Sequence, residues 1–260
     1  MDLSHRRYGH AQQALILIPG LAAGHTSWRL TASALAAEHS VIAVDHRGAA
    51  QAGDHGSPCS IADMADDIAV LASRLGIRRF LLAGHSMGGA IAQSVAHRYP
   101  HRVQGLALCN SFVRLGEEAR RFSEQILNLY RTGATSGEIA AAMLPRVFST
   151  GFLTPQMLAV VKSDRDNRLF RQSEHDYQRQ AAALKNFDSS AWAGSLRMPT
   201  LVVDSAEDHI CGRADADRLA GLIRGARRIT LSGGHASPLE RPAELARALL
   251  CFFRPLLSQG

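Results

Sequence analysis

The chain has 260 residues, of which 46% are hydrophobic and 20% charged, and a formal net charge of +6. That balance excludes a disordered chain and fits one large α/β domain with room for an insertion. No apolar run approaches the roughly 18 residues that a membrane-spanning helix needs, and the cations, all arginine except Lys162 and Lys185, are spread along the chain rather than gathered into a nucleic-acid-binding stripe.

The first thirteen residues are polar and lead into ALILI (14–18), which reads as a first core strand and not as the core of a signal peptide. A helical pattern over 26–38 precedes the strand SVIAVD (40–45). Ser60 followed by Asp63 is an N-cap signal for a helix over 60–76. RFLLAG (79–84), a helix over 87–98 and VQGLALCN (103–110) come next. The strands are continuous apolar runs, as strands covered on both faces should be. From 111 to 195 no strand pattern occurs. EEARRFSEQILNLYRTG, SGEIAAAMLPRVFS, LTPQMLAVVKSD and HDYQRQAAALKNF read as short helices there. Strands at 199–205 and 227–233 and helices at 212–224 and 240–253 complete the chain. The alternation predicts an α/β fold with a doubly wound, mostly parallel sheet. Its core is residues 1–111 and 196–260. Residues 112–195 form an inserted helical cap, or lid, over the carboxyl ends of the strands, where open sheets bind ligands.

Gly84-His85-Ser86-Met87-Gly88 stands between a strand and a helix. This G-x-S-x-G spacing makes a turn so tight that the serine is strained and its hydroxyl exposed. Serine needs a general base, and His235, in a loop between the last strand and the last helix, sits at the same edge. Asp204, Glu207 and Asp208 follow the preceding strand. Asp208, in the loop, has the reach to orient His235, with Asp204 as the alternative. The amides of Met87 and of Leu21, after the Pro19-Gly20 turn, are the candidate oxyanion donors.

With IPGLAAGHTSW, VIAVDHRG, LAGHSMGGAIAQSVAHRYPHRV, PTLVVDSAEDHI and GGHASPLERPAEL in place, the chain resembles the α/β-hydrolase superfamily, in the branch with a helical cap, over nearly its whole length. The resemblance implies Ser86 as nucleophile, Asp208 as acid and His235 as base. It departs from the family at Pro19, where a histidine is usual, and in DHRGAAQAG, which lacks the usual glycine–serine ending. The helical segments are similar to those of aminoacrylate hydrolases and enol-lactonases, which implies a small or medium acyl substrate.

These readings point to a serine hydrolase, a carboxylic ester hydrolase acting on an ester, thioester or lactone through an acyl-enzyme. Carbon–carbon bond hydrolysis or perhydrolysis on the same three residues, or a low-turnover ligand receptor, are the alternatives. Trp28, Phe112, Tyr130, Phe148 and Phe152 are candidate walls of an apolar pocket. Arg146, Arg165 and Arg171 are weaker candidates for clamping a substrate carboxylate. No metal or organic cofactor is called for, because the twelve histidines show no paired ligand spacing. Cys59, Cys109, Cys211 and Cys251 form no CxxC pair and read as reduced thiols of a cytoplasmic protein, a monomer or homodimer. Cys109 and Cys211 read as small apolar fillers.

Overall fold

The computed structural model describes residues 3–49, 59–156 and 172–257. Seven strands form one sheet in the order β1-β3-β2-β4-β5-β6-β7. They are β1 (His5–Tyr8), β2 (Ala14–Ile18), β3 (Ser40–Val44), β4 (Phe80–His85), β5 (Val103–Cys109), β6 (Thr200–Ser205) and β7 (Arg227–Leu231). β2 to β7 pair in parallel, and β1 pairs antiparallel with β3, His5 opposite Val44. β1 is an addition to the six predicted strands. Its residues HRRY are exposed or half-buried, since an edge strand needs no apolar run.

The central strands carry a two-residue alternation that supplies both cores. Ile16, Ile18, Phe80 and Leu82 face a layer built by α2 (Ile61–Arg74), α3 (Met87–Arg98) and α7 (Arg213–Leu222). Leu15, Leu17, Leu81 and Ala83 face α1 (Arg29–Leu35) and α9 (Pro242–Leu257). Burial on both faces is why the strands show apolar runs instead of alternation in sequence. The predicted helix at 26–38 is a 3-10 turn (His25–Trp28) followed by α1. The Ser60 signal is a full capping box, with Asp63 N–H donating to the Ser60 hydroxyl at 3.1 Å and Ser60 N–H to Asp63 at 2.9 Å. The helix predicted to begin at 240 divides into α8 (Ser237–Glu240) and α9.

Between β5 and β6 the described residues hold α4 (Glu117–Arg131), α5 (Ser136–Val147) and α6 (Glu174–Lys185). The predicted helix LTPQMLAVVKSD falls mostly outside the described residues, as do Arg165 and Arg171. Ile126, Ile139 and Tyr177 form the small core of this insertion, against which Leu21, Ala22 and Tyr130 pack.

Candidate active site

The strand order decides where a site can form. β3 and β4 flank β2 on opposite sides, so the loops that leave the carboxyl ends of β2 and β4 diverge and open a crevice. Ser86 stands at the end of β4, and Gly20 and Leu21 follow the end of β2.

Ser86 has φ 54° and ψ −119°, a conformation that L residues rarely adopt and that costs on the order of 1–3 kcal/mol. Its surroundings hold it there. Its N–H donates to the Cys109 carbonyl at 2.9 Å, and its own carbonyl accepts from Gly89 N–H at 2.9 Å and the Ser111 hydroxyl at 3.0 Å. A side chain at Gly84 would collide with the Gly88 carbonyl, and one at Gly88 with the carbonyls of Ile18 and Pro19. The turn therefore presses the start of α3 against the end of β2.

Met87 is the first residue of α3, and the leading N–H groups of a helix lack intrahelical partners. Across the crevice, a Cβ on Gly20 would lie 3.2 Å from Ser86 Cβ, so the loop bearing Leu21 runs directly against the serine. That loop turns at Ala22, with φ 59°. It is held by the His46 ring, whose Nε2 donates to the Gly20 carbonyl at 3.1 Å, and by Asp45, which accepts from His25 N–H at 2.6 Å and His25 Nδ1 at 2.9 Å.

His235 and Asp208 are paired, Nδ1 to Oδ2 at 2.9 Å, and both are buried. Asp208 also accepts from Ile210 N–H at 2.8 Å, Cys211 N–H at 2.9 Å and Asn110 Nδ2 at 2.9 Å. Burial pushes the Asp208 carboxyl up, but the His235 ring and these donors outweigh it and hold it below the usual carboxylate value. Asp204, the alternative acid, is engaged elsewhere. It takes a two-pronged contact from Arg228 at 2.9 and 2.8 Å and the Thr230 hydroxyl at 3.1 Å. Glu207 is exposed.

His85, beside Ser86, donates its Nε2 proton to the His235 carbonyl at 2.7 Å, and the two rings lie 4.9 Å apart. The His235 loop thus lies against the serine turn, and His235 Nε2 is the ring nitrogen that Asp208 leaves open. Cys211 is buried, and burial raises its thiol pKa well above that of a free thiol. Burial pushes the Cys109 thiol up to about 12. Neither is a reactive thiolate.

The predicted pocket residues separate into three groups. Trp28 and Phe112 are fully buried and belong to the two sheet cores, Phe112 edge-on to Phe187 at 6.3 Å and Trp28 edge-on to His85 at 6.5 Å. This corrects the expectation that they line a pocket, because neither side chain offers surface to a ligand. Tyr130 packs in the insertion's own core, tilted against Tyr177 at 5.2 Å. Phe148 and Phe152 remain half-exposed, stacked at 4.9 Å, next to the His235 loop: a Cβ on Gly234 would strike the Phe148 backbone. Arg146 pairs with Glu118 at 2.7 Å and lines a cleft of about 880 Å³ between α4 and α5, a cleft that does not include Ser86 or His235 among its walls.

The family model for the alpha/beta hydrolase fold matches residues 13–242. The chain belongs to the alpha/beta hydrolase family. A relative from Rhizobium rhizogenes named as a candidate carbamate hydrolase, RutD, is 28% identical over 245 residues, covering 93% of each chain. The enol-lactonase of Burkholderia xenovorans LB400 superposes with a TM-score of 0.87 at 26% identity, over 97% of this chain and 96% of that one. A hydrolase from Pseudomonas aeruginosa gives 0.85 at 28% identity, over 96% and 94%.

Five residues around this site stand out only in the structure. His85, Asn110 and His46 lie inside or beside strands, and Gln180 in α6 and Glu240 in α8 are buried. Among the described residues no group of three or more His, Cys, Asp or Glu converges to hold a metal ion, and no helix is long and apolar enough to cross a membrane.

Proposed function

We propose that this alpha/beta hydrolase is a serine hydrolase that cleaves a small or medium carboxylic ester, thioester or lactone through an acyl-enzyme on Ser86. The observation that carries the reading is the strained Ser86 turn lying under a paired Asp208–His235. Ser86 Oγ attacks the substrate carbonyl carbon while its proton passes to His235 Nε2. The amides of Leu21 and Met87 stabilise the oxyanion that forms. Collapse breaks the bond to the leaving oxygen or sulfur, which takes the proton from His235. Water, deprotonated by His235, then attacks the acyl-enzyme and releases the acid and Ser86. Asp208 keeps the His235 proton on Nδ1 and stabilises the imidazolium. The helices between β5 and β6 act as the cap, and Phe148 and Phe152 meet the acyl group, a role supported by the Phe148 backbone lying against Gly234 next to His235.

The names of the relatives support a carbonyl substrate of modest size, since one is named for carbamates and another for an enol-lactone. A carbamate carbonyl is open to the same attack and belongs in the test panel. The test is labelling with a fluorophosphonate and turnover of p-nitrophenyl esters, an enol-lactone and an aryl carbamate, each beside Ser86→Ala. Labelling of Ser86 and loss of turnover in the variant are expected. An unlabelled wild type with background rates throughout would overturn the reading.

A further inference from the structure

Gln180 belongs to α6 of the insertion, yet its side chain has no exposure at all and ends among backbone atoms of the core. A primary amide has two donors and two acceptor sites, and all four are filled. Nε2 donates to the Arg47 carbonyl at 2.6 Å and to His46 Nδ1 at 3.2 Å. Oε1 accepts from Ala22 N–H at 3.3 Å and from Gln172 Nε2 at 2.8 Å. Gln172, itself buried, also donates to the Gly48 carbonyl at 2.6 Å. Room for the amide depends on Gly48, where φ is +72° and a Cβ would lie 3.1 Å from Gln180 Nε2.

His46 makes the arrangement directional. Burial lowers its pKa and keeps the ring neutral. His46 Nδ1 lies 3.2 Å from both Gln180 Nε2 and the Arg47 carbonyl. That carbonyl already accepts from Gln180 at 2.6 Å, and Gln180 Nε2 can only donate, so Nδ1 takes the acceptor role and the single proton sits on Nε2. That proton is the one given to the Gly20 carbonyl at 3.1 Å. Gln180 therefore reaches the loop after β2 from both sides of Leu21: directly at the Ala22 amide, and through the His46 tautomer at the Gly20 carbonyl. Pro19, where a histidine is usual in the family, has no side-chain donor for this task.

We infer that Gln180 is a positioning residue for oxyanion stabilisation: the insertion holds the Leu21 amide on target through Gln180 and His46, besides covering the site. This rests on the proposed role of the Leu21 amide. A misplacement of about 1 Å in such a donor costs about 10²-fold in rate.

The experiment compares wild type with Gln180→Leu and with the isosteric Gln180→Glu, which keeps the volume and loses both donors. A third variant, His46→Leu, removes the relay. Expected are a kcat on p-nitrophenyl esters lowered about 10- to 100-fold by the same factor from acetyl to octanoyl, with KM little changed. Amide hydrogen exchange over residues 20–24, the amides that follow Pro19, should quicken in all three. A double Gln180→Leu/His46→Leu variant should lose little beyond either single one. A KM that rises with acyl length at constant kcat would make Gln180 part of a roof and overturn the inference. So would unchanged exchange at residues 20–24. If wild type shows no Ser86 labelling or turnover while exchange still quickens in the variants, the hydrolase reading fails and the positioning contact stands.

Discussion

His85 gives its Nε2 proton to the backbone carbonyl of His235 at 2.7 Å, with the two rings 4.9 Å apart. One histidine thus fixes the main chain of another while both face the same buried space. Burial first, and the adjoining His235 charge second, lower the His85 pKa from 6.5 to about 3. His85 is therefore a neutral donor beside His235.

That shift sets a pH dependence of stability. Between pH 6.5 and about 3 the unfolded chain binds a proton at His85 and the folded chain does not. Stability from this residue is complete above pH 6.5 and falls with decreasing pH by up to about 1.4 kcal/mol per unit. His85→Gln removes the titration. Urea midpoints measured from pH 7 to 4 should fall more gently in the variant. Parallel curves would contradict the assignment.

Asp204, inside β6, and Asp208, in the loop after it, are both buried acids, yet their losses should differ in kind. Asp208→Asn presents an NH₂ group to His235 and favours the wrong tautomer, so kcat should drop by on the order of 10⁴ with the fold intact. Asp204→Asn strips half of the Arg228 contact. It should cost roughly 1–3 kcal/mol in unfolding free energy and leave kcat within a few-fold. Turnover and urea unfolding on the two variants separate the roles, and a reversed pattern would exchange them.

Two glycines offer a contrast in one chemical change. A Cβ at Gly88 meets the backbone carbonyls of Ile18 and Pro19, which cannot move without opening the sheet. Gly221, inside α7, has open space around its would-be Cβ. Gly88→Ala should be severely destabilised or insoluble, and Gly221→Ala should gain about 0.4–1 kcal/mol. Thermal unfolding of the pair is the check. A well-folded Gly88→Ala would mean that the Ser86 turn relaxes more easily than its contacts imply.

Glu240 joins the insertion to the His235 loop. Its fully buried carboxylate accepts from the Ser149 hydroxyl, from Ser149 N–H at 3.1 Å and from Gly234 N–H at 3.1 Å. Glu240→Gln turns one of these acceptors into a donor facing a donor. The expected cost is roughly 1–3 kcal/mol, together with a lower kcat as Gly234 and His235 loosen. Urea unfolding and steady-state turnover would measure both. An unperturbed variant would show that the seam is held by the Ala236 N–H to Val147 carbonyl bond (2.9 Å) alone.

The central strands were legible because burial on both faces leaves apolar runs such as ALILI and SVIAV, and the serine turn because steric need leaves glycine at 84 and 88. β1 was hidden for the opposite reason: an edge strand with one neighbour can be HRRY. The aromatic positions misled where only a side chain's direction matters. Trp28 closes a 3-10 turn and points into the core, and Phe112 follows β5 into the other one, a distinction no local pattern carries. Asn110, at φ 47°, links Asp208 to the Ser237 hydroxyl (2.6 Å). These partners lie 98 and 127 positions away, and the core partners of Gln180 lie 133 to 158 away, beyond any window of local sequence.

The seams at Gln180, Ser149 and Val147 also bear on how such chains diversify. Each joins the insertion to a loop that the core must keep in place, near Leu21 or His235. The insertion is not an exchangeable cassette. Grafting a relative's helices onto this sheet would remove the fasteners of two loops beneath them. A change of specificity by recombination therefore has to carry Gln180, His46, Ser149 and Glu240 across as one inherited set.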